Sequence, residues 1–150
     1  MYGIIPNCKR KERRSMKREI KFRGKSKRDG RWWFGNLCVK DTRGNTQVYD
    51  PEKGGCFEID PNTVGQFTGL RDAKDREIYE GDVIRSFDSK NNPILHIVQY
   101  DEKEARFMVH MPGHDKYDFG SGGIIQSWIT EFGKEVIGNI YDNPELLKSK

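Results

Sequence analysis

Turn-forming residues cut this chain so often that little room is left for a long helix. Arg28-Asp29-Gly30, Asp41 to Asn45, Gly54-Gly55, Arg71 to Glu77, Asp88 to Pro93 and Asp101 to Ala105 all carry turn signals. Gly, Asn and Asp supply them, because they tolerate the backbone angles that tight turns demand. The stretches between are short and alternate in character. Ile20 and Phe22 fall on one face of an expected half-buried strand, Lys21 and Arg23 on the other. RWWFGNLCV returns as the second strand and TQVYD forms a third, with CFEID set apart by the Gly54-Gly55 break. VGQFTGL, IYEGDVIRSF, ILHIVQY, RFMVHM and EVIGNIYDN continue the series, with a kink or bulge expected at Glu80-Gly81-Asp82. This rhythm predicts a barrel or sandwich rather than βαβ units. Helical spacing of Ile124, Ile125, Trp128, Ile129 and Phe132 predicts one short helix, and Asn143-Pro144 reads as the cap and first turn of another.

Hydrophobic residues make up 34% of the chain and charged residues 33%, so its core must be thin for 150 residues. Aromatic residues at 11% argue against a disordered chain. The length suits one domain of ordinary size, or two small units sharing a core. The expected organisation is a basic extension over residues 1–15, an N-terminal β region over 16–60, and a barrel region with a C-terminal helical turn over 61–150. The long loop from Pro112 to Gly123 is too rich in glycine to be a helix.

Charge is unevenly spread. Met1 to Arg31 holds 13 basic and 3 acidic residues, a balance of +10, whereas the rest of the chain carries −6 within a total of +4. Such asymmetry points to phosphates, or to an acidic partner surface. Part of it lies in KRKERR, ahead of Met16, where translation is an alternative expected start. Cys8, Cys38 and Cys56 form no CxxC pair, which fits a reducing cytoplasm rather than a disulfide framework or zinc site. No signal peptide or membrane-length apolar run is read from the sequence, so a soluble cytoplasmic protein is expected.

Four strings occur in order: REIKFRGK at Arg18, TVGQFTGL at Thr63, EIYEGDVI at Glu77 and VIGNIYDNPELL at Val136. Together they resemble the YopX-like family of small bacteriophage and prophage proteins, from about Met16 to Leu147. The resemblance implies a mainly β fold with an SH3-like barrel around the EGD segment, spanning roughly residues 61–142, and a bacterial cytoplasm. It brings no catalytic residue with it.

Several motifs invite chemistry. Gly65-x-x-x-Gly69 lacks the Gly-Lys-Ser/Thr and helix start of a phosphate loop, so turn chemistry and close strand packing are expected there. Asp72, Asp75, Glu77, Glu80 and Asp82 are expected on a solvated hairpin; Glu80 and Asp82 could share a cation only if more oxygens joined them. His110-x-x-x-His114, followed by Asp115, has a metal-pair spacing, but Pro112 and Gly113 interrupt any helix. Ser121 lacks a GxSxG elbow. No metal or cofactor is therefore expected, and a small hydrolase or metal-dependent enzyme using the 112–123 loop is the alternative function. Trp128 is expected in the core.

The strongest candidate surface is Arg31-Trp32-Trp33-Phe34. Successive strand residues face opposite sides, so either phase presents an aromatic near Lys21, Arg23, Lys25, Lys27, Arg28 and Arg31. Lys21, Arg23, Lys25, Arg31 and Trp32 are the expected site for nucleic acid or a host protein, with base stacking beside phosphate contacts. The expected function is a non-catalytic accessory protein, with self-association as a further expectation. A purely structural homo-oligomer is a third reading.

Overall fold

A computed structural model describes residues 18–39, 43–114, 122–125, 129 and 133–148. Among them the chain is mainly β, in two antiparallel sheets. The first runs β4-β3-β2-β1-β5-β6, from β1 (Phe22–Lys25), β2 (Trp32–Cys38), β3 (Gln47–Asp50), β4 (Gly55–Glu58), β5 (Gly65–Arg71) and β6 (Glu77–Tyr79). The second runs β10-β9-β8-β7-β11, from β7 (Asp82–Phe87), β8 (Pro93–Asp101), β9 (Arg106–His110), β10 (Gly122–Ile124) and β11 (Glu135–Asn139).

Aspartates close many of the turns. Asp29 Oδ1 accepts from the Arg31 amide at 3.2 Å, beside Gly30 at φ +70°. Asp88 Oδ1 accepts from the amides of Lys90 and Asn92 at 2.8 and 2.7 Å. A short carboxylate bonded to its own downstream amides gives the chain a ready-made turn. Both hairpins fall where the sequence placed them, and β1–β2 sets Arg23 opposite Phe34 and Lys25 opposite Trp32.

Gly65 and Gly69 do different jobs. A Cβ on Gly65 would lie 2.5 Å from the Glu80 carbonyl oxygen, so close approach requires glycine there. Nothing lies within 4 Å of a Cβ at Gly69, whose φ of +85° is the requirement instead. It sits where the β5–β6 register shifts between Phe67 and Arg71, which makes it a bulge residue and corrects the tight-packing reading.

Three expectations change among the described residues. Neither sheet closes into a barrel, and residues 61–142 divide between the two, crossing at Glu80-Gly81. The expected kink is this crossing. Pro144–Leu147 is a single 3₁₀ turn, and Asn143 makes no side-chain cap; its Oδ1 accepts from the Asn139 amide. Most of the helix expected between Ile124 and Phe132 lies outside the described residues; of those described, Ile124 is on β10 and Ile125 and Ile129 are helical. Finally, Ile20 is 48% exposed and Arg23 only 7%, the reverse of simple alternation.

The main core joins the two sheets. Ile78 of β6 packs with Ile84, Val98, Phe107, Val109 and Ile125, with Leu70 and Val136 against them. Val48 and Ile59 are buried outside that cluster, the latter pressed on Gly24. The sheets are further tied at the C-terminal turn. Asp142 accepts from Lys25 Nζ at 2.5 Å, Trp32 Nε1 at 2.7 Å and Asn139 Nδ2 at 2.9 Å. Burial opposes its ionisation, but the bonds from Lys25, Asn139 and Trp32 prevail and hold the carboxyl at about 2. Asp142→Ala should cost about 1–2 kcal/mol, since the group is part-exposed and screened. A thermal melt would check this; an unchanged Tm would refute the tie.

Candidate functional site

The five residues expected to form a binding surface are brought near one another, but most spend their charge inside the chain. Lys21 Nζ lies 3.0 Å from Glu19 and 2.6 Å from Glu77. Burial lowers its pKa, yet its bonds to Glu77 and Glu19 outweigh this and raise it. Arg23 Nη2 lies 2.7 Å from Asp82 Oδ1 and donates to the Glu80 carbonyl oxygen at 3.1 Å. Its guanidinium also sits 4.7 Å from the Trp32 ring centre and 5.1 Å from that of Tyr79. Lys25 is held by Asp142. Arg31 remains exposed, 3.6 Å from Asp29.

Trp32 is half-buried, tilted against Tyr141 at 5.8 Å and bonded to Asp142. Basic and aromatic residues here build the seam between the sheets. Strand pairing predicts this neighbourhood; of the acids that answer it Glu19 is close in sequence, whereas Glu77, Asp82 and Asp142 lie far along it.

Trp33 faces the other way and stacks on Phe57, with ring centres 3.6 Å apart and planes 3° from parallel. The pair lines a cleft of about 910 Å³ whose other walls are Ser26, Lys27, Arg28, Asp29 and Arg31 from the β1–β2 turn, with Cys56 and Glu58 from β4. Among the described residues neither Lys27 nor Arg28 is in an ion pair. Three cations therefore face two carboxylates around an aromatic wall. Phe57 was not legible as part of any site, because its partner lies two strands away.

The acid cluster is not uniformly solvated. Asp72 is 7% exposed and accepts from the amides of Lys74, Arg76 and Val136 at 2.9 Å each. Burial pushes its pKa up, but these bonds and Arg76 take it below the usual range. Asp82 is 2% exposed, and its second oxygen accepts from the Tyr79 amide at 2.8 Å. There burial dominates over Arg23 and raises the pKa. With both oxygens engaged, Asp82 has a structural role in place of the cation role considered with Glu80.

His110 Nδ1 is 3.3 Å from the Met111 carbonyl oxygen, and the His114 amide donates to the same oxygen at 3.2 Å. Asp115, Ser121, Trp128 and Cys8 lie outside the described residues. Cys38 and Cys56 are free and exposed. Among the described residues no group of three His, Cys, Asp or Glu side chains is arranged to hold a metal, and no helix is long and apolar enough to cross a membrane.

No curated protein matches this chain. A solved structure, protein EF1440 from Enterococcus faecalis, is 21% identical with a TM-score of 0.48, over 87% of this chain and 99% of that one. The model of the YopX protein family matches residues 21–148, and the chain belongs to that family.

Proposed function

We propose that this chain is a non-catalytic binding module on a small SH3-like β architecture, acting on single-stranded nucleic acid in a bacterial cytoplasm. The observation that carries the reading is the cleft in which Lys27, Arg28 and Arg31 surround the stacked Trp33–Phe57 pair. Cations beside an aromatic wall suit a flexible strand, since phosphates meet the charges while bases stack without sequence preference. Of the five residues expected from sequence, Arg31 passes to this cleft. Lys21, Arg23, Lys25 and Trp32 support it by fixing the hairpin from behind.

Fluorescence anisotropy with a labelled single-stranded oligonucleotide, at about 50 and about 200 mM salt, tests this. Lys27→Ala/Arg28→Ala/Arg31→Ala in the full chain should weaken binding at least about tenfold and lower the salt slope by roughly two. A second variant with Lys9, Arg10, Lys11, Arg13 and Arg14 changed to Ser measures what the basic extension contributes. If the extension variant alone abolishes binding, the cleft loses its role. If wild type binds no oligonucleotide, a protein partner becomes the better reading.

A further inference from the structure

A second cleft, of about 840 Å³, lies between β5 and the β8–β9 hairpin, and it shares no lining residue with the first. Its apolar lining is Phe67, Leu70, Tyr100, Phe107 and Ile125. Phe67, Phe107 and Ile125 are buried, and Tyr100 meets Phe107 edge-on at 5.3 Å. The volume falls in the range of sites that enclose small organic molecules, which pair an apolar lining with a few placed polar groups.

Half of the polar side chains there are arginines. Arg18, Arg71 and Arg106 line the cleft with Gln66, and the single acid there, Glu19, already pairs with Lys21 at 3.0 Å. Arg71 is held in place by Glu77 at 2.7 Å and by the Asp75 carbonyl oxygen at 2.8 Å. Arg106 has its carboxylate, Glu104, only at 3.8 Å, and its buried Nε–H has no acceptor among the described residues. Arg18 is in no ion pair among them. A carboxylate is satisfied by one guanidinium fork, whereas a phosphate offers three outer oxygens to several.

We propose that this cleft binds a nucleoside monophosphate, with the phosphate among Arg18, Arg71 and Arg106 and the base against Tyr100 and Phe107. The site stands independently of the oligonucleotide reading, because the residues of the two clefts are separate.

Calorimetric titration of the full chain with each of the four ribonucleoside monophosphates, their nucleosides and inorganic phosphate provides the test. At least one monophosphate should bind with a Kd on the order of 10⁻⁴ M, and its nucleoside at least about tenfold more weakly. Arg106→Ala should weaken that binding about fivefold or more, as should Arg18→Ala, an exposed change that leaves folding intact. Lys27→Ala/Arg28→Ala/Arg31→Ala should leave it unchanged, which separates this site from the first cleft. No saturation by any of the four at millimolar concentration would overturn the proposal. So would wild-type affinity in Arg106→Ala, or inorganic phosphate binding as tightly as the nucleotide.

Discussion

Replacing Arg23 by methionine should destabilise the protein by about 3–5 kcal/mol, measured by chemical denaturation at neutral pH. The change leaves Asp82, 2% exposed, without the guanidinium 2.7 Å away. Two aromatic rings that flank the cation lose their partner as well. Removing one member of a buried pair costs far more than removing both, because the survivor keeps its desolvation penalty. Arg23→Met/Asp82→Leu should therefore recover much of the loss. The deficit of the single variant relative to wild type should shrink as pH falls below neutral, since burial raises the Asp82 pKa and, without Arg23, the folded state takes up the proton more readily still. A loss under about 1 kcal/mol in Arg23→Met would mean that the pair is not a structural centre.

His96 should make the wild-type protein lose stability on acidification. This side chain is 9% exposed on β8, with Ser86 Oγ of β7 3.5 Å from its Nδ1. Burial lowers its pKa to about 4 from 6.5, helped by the positive charges of Lys134 and His110. The unfolded chain takes up the proton near pH 6.5 and the folded chain only near 4. Stability from this group is complete above pH 6.5 and drains away as pH falls toward 4, by on the order of 3 kcal/mol. Asp72, Glu77 and Asp142, whose pKa values folding lowers, release their contributions only below their ordinary values of 3.8 to 4.5. Denaturation midpoints at pH 7 and 4.5 read the effect, and His96→Leu should flatten it. An equal pH slope in that variant would assign the loss to other groups.

The sequence exposed most of the strand order, because the turns depend on local chemistry. Asp29-Gly30 and Asp88 to Asn92 bend the chain with atoms from their own few residues. The same local reasoning failed at Arg23, where alternation alone sets a charged side chain outward. Its burial depends on Asp82, Trp32 and Tyr79, which only the paired sheets bring to it. Closure was illegible for a similar reason. Whether strands close into one barrel or part into two sheets is decided at Glu80-Gly81, and the sequence showed a kink there without its direction.

The candidate site divides along the same line. Basic residues and tryptophans were visible as a group, and strand alternation required Trp32 and Trp33 to point apart. Which face was neutralised turned on Asp142, a residue that reads in sequence as an ordinary turn acid. Phe57 became part of the cleft by stacking across the sheet, and no local pattern marks it.

The tie between Lys25 and Asp142 spans 117 residues, and that between Trp32 and Asp142 spans 110. During synthesis the first hairpin therefore emerges long before the residue that fastens it. Contacts this distant in sequence slow the search for the native state, because a large loop must close before they return any energy. Through that interval Trp33 can already stack on Phe57, whereas the Trp32 indole N–H has yet to meet its acceptor. The hairpin's maturation is set by the arrival of the turn that carries Asp142, so a chain cut ahead of that residue would leave the earliest element unfastened.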